Sequence, residues 1–451
     1  MNQAQKTTDT WNRQWLWLAI PVVLAVLVFG RVITFGFTNW DDLHYIARNP
    51  LLTSPTAESM KRLLIPGSVS QEQLYVPVTY LSFWLEAACL TLRSSVIHAT
   101  NLCLHLFNVV LVFAFVRSFA KTNWAATCGT VLFAIHPLQV EAVAWCMGRK
   151  DLLATFFGLL GIHAYLRYIR KDTQWGWLLP AALTFVLAVF AKPSLLLLPL
   201  IFLLFNISSG KTLRRPAWAM LMYCACVAAM AYWITMSLPT APSASLPSHA
   251  LRIFSVPVLL VDNLFRLLIL SGNSPIYAFP QSGWLLIVKN LLFGLMLYGL
   301  YRLICYRSFF GLPLVFFGLA FAPAVAVVFQ GREFFTADRY TYFPMIAISW
   351  LLAFALETVT GQPRRLVQWG VALWLACAGV MAFFLSDMWT DNVALWKRAA
   401  QSAPDRSLVF NNLGSAFVGA GDHLSAVPAY RRSLELDATN HRAWNNLGEA
   451  Y

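Results

Sequence analysis

The chain has 451 residues, of which 59% are hydrophobic and 12% are charged. Soluble domains are about half apolar and about one quarter charged, so this composition excludes a soluble enzyme, a DNA-binding protein or a disordered tail as an account of the whole chain. The net charge of +13 comes from 33 basic and 20 acidic residues, and the basic residues stand singly or in short groups between apolar runs. This pattern favours an integral membrane protein.

Apolar stretches recur along the chain at lengths that suit membrane crossing, which takes about 20 residues. We therefore predict an all-α, polytopic membrane protein with about eleven transmembrane helices. The first stretch follows Arg13 and continues to Phe35 without a small-residue cleavage site, which predicts a retained signal anchor with a cytoplasmic N-terminus. The predicted spans begin near Trp15, Ile97, Trp124, Leu152, Trp175, Ser194, Trp218, Trp284, Gly311, Tyr342 and Val367.

Alternation from a cytoplasmic N-terminus predicts which turns lie on each side of the membrane. The cytoplasmic turns then hold fourteen basic residues: Lys6, Arg13, Arg117, Lys121, Arg167, Arg170, Lys171, Lys211, Arg214, Arg215, Arg302, Arg307, Arg364 and Arg365. The opposite side, here called the outer face, collects the acids Asp41, Asp42, Glu58, Glu72, Glu141, Asp151, Glu333 and Asp338. This charge asymmetry is consistent with the positive-inside rule.

Two further apolar segments fit this alternation only when they lie along the outer face. One covers 75–91 and includes Glu86, and the other covers 251–270. In the second segment Asp262 and Arg266 are four residues apart, so we expect them to pair on one helical face. The alternative is that either segment is a true span.

The composition becomes polar and mixed after the last span, and an internal repeat appears there. Asn411-Asn412-Leu413-Gly414 recurs 34 residues later as Asn445-Asn446-Leu447-Gly448. A 34-residue period with these anchors predicts tetratricopeptide repeats, which are stacked helix pairs. We therefore divide the chain into a transmembrane domain over 1–386, with a first outer loop over 37–74, and the start of a periplasmic repeat domain over 387–451. Because such repeats need neighbours, we expect the sequence to be part of a longer protein.

Paired acids follow the first span directly, in Asn39-Trp40-Asp41-Asp42-Leu43-His44-Tyr45. Two carboxylates at a membrane surface suit general-base catalysis or cation binding, and the structural alternative is a solvated loop with an aspartate capping a helix. The cysteines lie mostly in apolar runs, and no metal-ligand spacing appears. We predict no metal site. A divalent ion held by Asp41 and Asp42 is the alternative.

A second cluster of ionisable residues is predicted on the same face, where such groups at membrane depth are candidates for function. His136, Glu141 and Arg149 stand in one segment, Lys192 ends a later span, and Arg339 follows Asp338. Facing a carboxylate base, these cations suit transfer from a phosphate-linked donor, since Arg and Lys can hold the phosphate leaving group. The structural alternatives are a packed histidine, a Glu141–Arg149 pair and cations that only snorkel.

These segments resemble the transmembrane and tetratricopeptide-repeat O-mannosyltransferase family, within the C-type fold of lipid-dependent glycosyltransferases. The resemblance covers nearly the whole chain, and the stretch from His136 through Asp151 is its most specific part. It also involves the acidic motif in 39–49, Val76 to Phe83 with Tyr80, His98, His105, Lys192-Pro193, Asp338-Arg339-Tyr340 and the repeats. The family often has Lys-Glu where this chain has Lys192-Pro193, and the outer loop over 237–250 matches no family motif.

The resemblance implies a glycosyltransferase that moves a mannose-like sugar from a polyprenyl phosphate to Ser or Thr hydroxyls of exported proteins, with inversion. In that reading Asp41 is the base and Asp42 its neighbour in the motif. Arg149, Lys192 and Arg339 contact the donor phosphate, His136 and Glu141 shape the pocket, and Asp338, Tyr340 and Tyr80 support it. No tightly bound cofactor is implied beyond the lipid-linked donor.

The expected partners are the lipid-linked donor, membrane lipids and a protein or peptide acceptor that the repeats could hold; nucleic acid is not expected. A signal anchor with compact turns suits a bacterial inner membrane with a periplasmic site, and an endoplasmic reticulum membrane with a lumenal site is the alternative. Other functions considered are modification of a glycolipid by the same fold, a non-catalytic membrane-anchored scaffold, and a transporter.

Overall fold

The computed structural model of the protein describes residues 3–66, 75–170, 174–237, 249–270, 272–277, 279, 283–306, 310–329, 336–361 and 363–451. These residues contain helices and turns but no β-strand. Several residues used in the topology prediction, Glu72, Lys171, Arg307 and Glu333, lie outside these ranges, as does most of the outer loop over 237–250.

The first half of the described chain contains both short helices and longer apolar ones. These are α1 (Gln3–Phe29), α2 (Pro50–Thr53), α3 (Ala57–Leu63), α4 (Pro77–Cys89), α5 (Ser94–Arg117), α6 (Asn123–Ile135), α7 (Val140–Ala144), α8 (Arg149–Arg170), α9 (Leu178–Ala191) and α10 (Leu198–Ser208). Short 3₁₀ turns connect several of them, including Pro137–Gln139, Cys146–Gly148 and Pro193–Leu195.

The second half continues with apolar helices and ends with four polar ones. These are α11 (Arg215–Ser237), α12 (His249–Ile269), α13 (Gly283–Cys305), α14 (Gly311–Phe329), α15 (Met345–Thr358), α16 (Pro363–Leu385), α17 (Asn392–Ser402), α18 (Ser407–Gly419), α19 (His423–Leu436) and α20 (His441–Ala450). A 3₁₀ turn at Asp338–Thr341 precedes α15.

Each predicted span coincides with an apolar helix. In the described chain, six helices are long and apolar enough to cross a membrane, and the bent pair Asn123–Ile135 and Pro137–Ala144 would make a seventh. Four shorter apolar helices, Trp175–Ala191, Pro193–Ser208, Gly311–Val325 and Met345–Thr358, coincide with the other predicted spans. The all-helical, polytopic membrane architecture is therefore confirmed, whereas the number of crossings stays a prediction.

The helix α8 lies at the centre of the bundle. In its most apolar stretch 72% of the residues are buried, whereas none is buried in the corresponding stretch of α13. Helix α8 packs against α5 and α9. Next to it, α6 packs very closely against α15, since a Cβ at Gly129 would overlap the backbone carbonyl of Ser349. Only glycine permits two helix backbones to approach in this way. The exposed apolar side chains of α13 suit a position at the lipid boundary.

The two segments predicted along the outer face form α4 and α12, and neither is among the described helices that suit membrane crossing by length and composition. The predicted pairing of Asp262 with Arg266 is wrong. Asp262 pairs with Lys289 of α13 at 2.6 Å, and Arg266 lies 3.7 Å from Asp338. Tertiary partners replace the local one because Lys289 of α13 and Asp338 of the 3₁₀ turn at 338–341 lie within ion-pair distance of these side chains.

The repeat region forms helices that pack in series, α17 on α18, α18 on α19 and α19 on α20. Gly414 faces the ring of Tyr430 on the next helix, and Asn446 donates a hydrogen bond to Asn411 across the repeat (3.0 Å). These contacts fit the paired helices predicted from the 34-residue period. The division of the chain into domains stays a prediction.

Candidate functional site

Asp42 anchors the acid loop, which we define as residues 36–49. Its carboxylate is buried and accepts hydrogen bonds from the Thr38 amide (3.0 Å), the Thr38 hydroxyl (2.8 Å) and the Met147 amide (3.2 Å). The last bond ties the loop to the turn that precedes α8. Burial raises the pKa of Asp42 to about 7, although these hydrogen bonds act in the opposite direction.

Asp41 lies in a different environment from its neighbour. It is half-buried, and its carboxylate accepts no hydrogen bond from the part of the chain that the structure describes. Its charge interacts with those of Lys150 and Arg339. A partly exposed carboxylate with unused acceptor positions can take a proton from an incoming hydroxyl. Asp41 is thus suited to act as a base, and Asp42 to hold the loop in place.

Two aromatic rings gather three cations beside the acid loop. Lys150 Nζ lies 4.7 Å from the centre of the Trp145 ring, and the Arg339 guanidinium lies 5.0 Å from the same ring. Lys192 Nζ and the Arg339 guanidinium lie 5.2 and 5.1 Å from the Tyr340 ring. We call these five residues the cation cluster. Its members come from the segment between α7 and α8, the start of α8, the residue after α9 and the 3₁₀ turn at 338–341, which converge in the fold.

Two of the three cations have carboxylate partners. Lys192 pairs with Asp151, and Arg339 pairs with Glu141, whose carboxylate also accepts a hydrogen bond from the Arg339 amide (2.9 Å). Lys150 forms no ion pair with a residue that the structure describes. The Arg339 Nε is buried and has no hydrogen-bond partner among the described residues. The cluster therefore retains positive charge and donor capacity that an anion could use.

The structure places Arg149 in a buried network instead of the cation cluster. Its Nε donates to Asn101 at 2.5 Å, and its Nη2 donates to the Ile97 carbonyl and the Glu86 carboxylate at 3.0 and 3.2 Å. The guanidinium also lies over Phe83. Protein groups thus occupy the donor positions of this guanidinium, and Arg149 pairs with Glu86 instead of forming the alternative pair with Glu141. Lys150, which we did not predict, faces the cluster.

His136 is also engaged by the protein. Its Nε2 lies 3.0 Å from the Leu267 carbonyl, and its Nδ1 accepts a hydrogen bond from the Leu138 amide. A neutral ring with a proton on Nε2 satisfies both contacts. His136 therefore links the last turns of α12 to the Pro137–Gln139 turn. Neither of these two bonds involves a member of the cation cluster.

Asp338 and Tyr80 lie at the edges of the site. The Asp338 carboxylate is buried and accepts hydrogen bonds from the Tyr277 hydroxyl (2.7 Å) and the Asn273 amide (2.9 Å). Burial raises the pKa of Asp338 to about 6. Tyr80 is buried on α4, beside Thr79, whose hydroxyl donates to the Ala191 carbonyl at 2.9 Å, immediately before Lys192. The described residues contain no group of three or more His, Cys, Asp or Glu side chains placed to hold a metal.

These features define an integral membrane protein in which a partly exposed carboxylate interacts with a cluster of buried and half-buried cations. Among curated proteins, the chain is similar to Protein O-mannosyl-transferase TMTC1 of Mus musculus (32% identity over 151 residues, 32% of this chain and 16% of that protein). It is also similar to Tmtc1 of Drosophila melanogaster (30% over 176 residues, 37% and 20%) and TMTC3 of Homo sapiens (32% over 117 residues, 26% and 13%). The predicted resemblance to the transmembrane and tetratricopeptide-repeat O-mannosyltransferases is confirmed.

The matched regions span less than a quarter of the length of these relatives. No family model matches the chain. Similar solved structures include the oligosaccharyltransferase AglB from Archaeoglobus fulgidus in complex with an inhibitory peptide and a dolichol-phosphate (TM-score 0.46, 14% identity, 84% of this chain and 56% of that chain). Another is ArnT from Cupriavidus metallidurans bound to undecaprenyl phosphate (TM-score 0.40, 14% identity, 96% and 76%).

Proposed function

We propose that the protein is a glycosyltransferase that moves a mannose-like sugar from a polyprenyl phosphate to Ser or Thr hydroxyls of exported proteins. The observation that carries this proposal is the electrostatic interaction of Asp41 with Lys150 and Arg339, two cations of the cation cluster. The site combines a base for the acceptor and positive charge for a phosphate leaving group. The similarity to O-mannosyltransferases supports the same class of reaction.

The proposed reaction is a single displacement at the anomeric carbon. Asp41 takes the proton of the acceptor hydroxyl while the hydroxyl oxygen forms a bond to the anomeric carbon. The bond from that carbon to the phosphate oxygen breaks at the same time. The electron pair leaves with the polyprenyl phosphate, whose negative charge Lys150, Lys192 and Arg339 stabilise. Attack opposite the leaving group inverts the anomeric configuration. Asp42 holds the acid loop, and Glu141 and Asp151 orient two of the cations.

The choice of Lys150 instead of Arg149 changes the site predicted from the sequence. Lys150 has no ion-pair partner among the described residues and its charge interacts with that of Asp41, whereas Arg149 is occupied by Asn101 and Glu86. We further propose that α18 to α20 hold the peptide acceptor and that the site faces the bacterial periplasm. Docking of another subunit on these helices, and a lumenal site in an endoplasmic reticulum membrane, are the alternatives for these two points.

The proposal is tested with the full chain in lipid nanodiscs, polyprenyl-phosphate mannose labelled in the sugar, and a Ser/Thr-rich peptide. We expect Asp41→Asn to lower transfer by about 10²-fold or more, since positioned bases contribute about 10²–10⁴-fold. Glu58→Gln removes an exposed acid of the outer side and should leave transfer unchanged. Full transfer by a correctly inserted Asp41→Asn protein would contradict the mechanism. Transfer only to a lipid acceptor would identify glycolipid modification instead.

A further inference from the structure

The helix α17 contacts both halves of the proposed site. We propose that Trp396 and Arg398 of α17 are positioning residues, which hold the acid loop and the segment 336–342 at a fixed separation. This inference rests on the proposed function, because it concerns the placement of Asp41 relative to Arg339. It makes the first helix after the last span a structural part of the site.

One side of α17 holds the acid loop. The rings of Trp396 and Trp40 lie 5.2 Å apart between centres with an angle of 32° between their planes, and Trp40 directly precedes Asp41. The Asn39 amide donates to the side-chain oxygen of Asn392, at the start of α17. The Gly36 amide donates to the Thr390 carbonyl at 3.1 Å, just before that helix. These three contacts fix the backbone on the N-terminal side of Asp41.

The other side of α17 holds the segment that carries Arg339. Two nitrogens of Arg398 donate to the Asn273 carbonyl at 2.8 and 3.2 Å, and the Asn273 side chain donates to Asp338 at 2.9 Å. Asn273 and Asp338 are both buried, so this relay is shielded from water. Ile276, three residues after Asn273, belongs to the same buried apolar cluster as Ala399 of α17. The charge of Arg398 is therefore used to place Asp338, which precedes Arg339.

The two contacts act on different parts of the reaction, which makes them separable. The Trp396 contact places the base, so its loss should lower kcat. The Arg398 contact places a cation that holds the donor phosphate, so its loss should raise the KM for the lipid-linked donor. A purely structural role of α17 would change both parameters together, along with thermal stability.

The kinetic test uses Trp396→Leu and Arg398→Ala in the full chain, with polyprenyl-phosphate mannose and the Ser/Thr-rich peptide. We expect Trp396→Leu to lower kcat about tenfold with the donor KM within about twofold, because small displacements of a reacting group are costly. Arg398→Ala should raise the donor KM about tenfold. Trp396→Phe and Arg398→Lys should recover part of each loss. Lys397→Ala is the matched control, since Lys397 lies over Phe417 in the repeat helices.

Hydrogen exchange of the same proteins in nanodiscs, without substrates, tests positioning independently of sugar transfer. We expect faster amide exchange in 36–42 for Trp396→Leu and in 336–342 for Arg398→Ala, each without the other. The inference is overturned if neither segment changes or if both variants loosen both segments alike. If Asp41→Asn retains transfer, the proposed function fails, and the exchange experiment still decides whether α17 positions these two segments.

Discussion

Arg149 and Lys150 are neighbours in sequence that lie in different surroundings. The guanidinium of Arg149 is buried in an ion pair with Glu86 at 3.0 Å, whereas the Lys150 ammonium lies over Trp145. Successive positions on a helix point about 100° apart, so a basic pair at a helix start cannot both face one site. The sequence indicates that a cation is present, and only the packing of α8 determines which of the two reaches the cluster.

We therefore predict different effects for Arg149→Met and Lys150→Met. The Arg149 variant leaves Glu86 buried without its partner and should lose about 3–5 kcal/mol of unfolding free energy. The Lys150 variant should stay within about 1 kcal/mol of the wild type but bind polyprenyl phosphate about tenfold more weakly. Unfolding in mixed micelles and lipid-phosphate titration measure the two effects. Equal losses of stability in both variants would contradict this assignment.

The environment of Asp42 predicts a pH-dependent stability. Its folded pKa of about 7 exceeds the unfolded value of about 3.9, so the folded protein binds one more proton between these values. The contribution is fully present below about pH 4 and is lost as pH rises through 7. We expect the melting temperature to fall between pH 5 and 7 and level off above. Asp42→Asn should remove the fall in melting temperature near pH 7. It should retain the fall that comes from Asp338, whose pKa is about 6. Parallel profiles for both proteins would contradict this origin.

At the scale of helices, the apolar pattern predicts where elements lie better than it predicts their contacts. All eleven predicted starts coincide with apolar helices, since apolar length is a property of the local sequence. The pairing of Asp262 with Arg266 was wrong because both partners come from distant helices or turns. The same holds for the cation cluster, whose residues are brought together by packing across more than 180 positions, from Lys150 to Arg339.

The two repeated glycines provide a test of helix packing after the last span. A Cβ at Gly414 would lie 2.5 Å from the Tyr430 ring, whereas one at Gly448 would meet no atom within 4 Å. Gly414→Ala should therefore force Tyr430 to shift and cost about 1–3 kcal/mol, as overpacking does. Gly448→Ala should be neutral or slightly stabilising, because alanine favours helix. Limited proteolysis of 387–451 reads out both variants, and equal protection in the two would contradict the predicted difference.

For the whole molecule, the basic residues behind the net charge of +13 fall into two groups. Most basic residues predicted to be cytoplasmic are at helix ends. One such end is the start of α6, where the backbone amides of Lys121 and Thr122 donate to the Glu357 carboxylate (2.5 and 2.9 Å). A smaller set, the three cations of the cluster, lies with the acids Asp41, Glu141 and Asp151. Charge asymmetry predicts sidedness from sequence, but the ion pairs within the site follow only from the folded bundle.

The predicted sidedness is testable with single cysteines in a protein whose eight cysteines are replaced. Nine predicted spans separate Lys121 from Leu424, so the two positions should lie on opposite sides of the membrane. Both are exposed, and Leu424 is 90% exposed, so a maleimide can reach either one. In bacterial spheroplasts, an impermeant maleimide should label Leu424→Cys directly and Lys121→Cys only after lysis. Labelling of both before lysis would mean an even number of crossings between them and would contradict the predicted alternation. The positive-inside pattern opposes that outcome, because Lys121 is one of the basic residues predicted to be cytoplasmic.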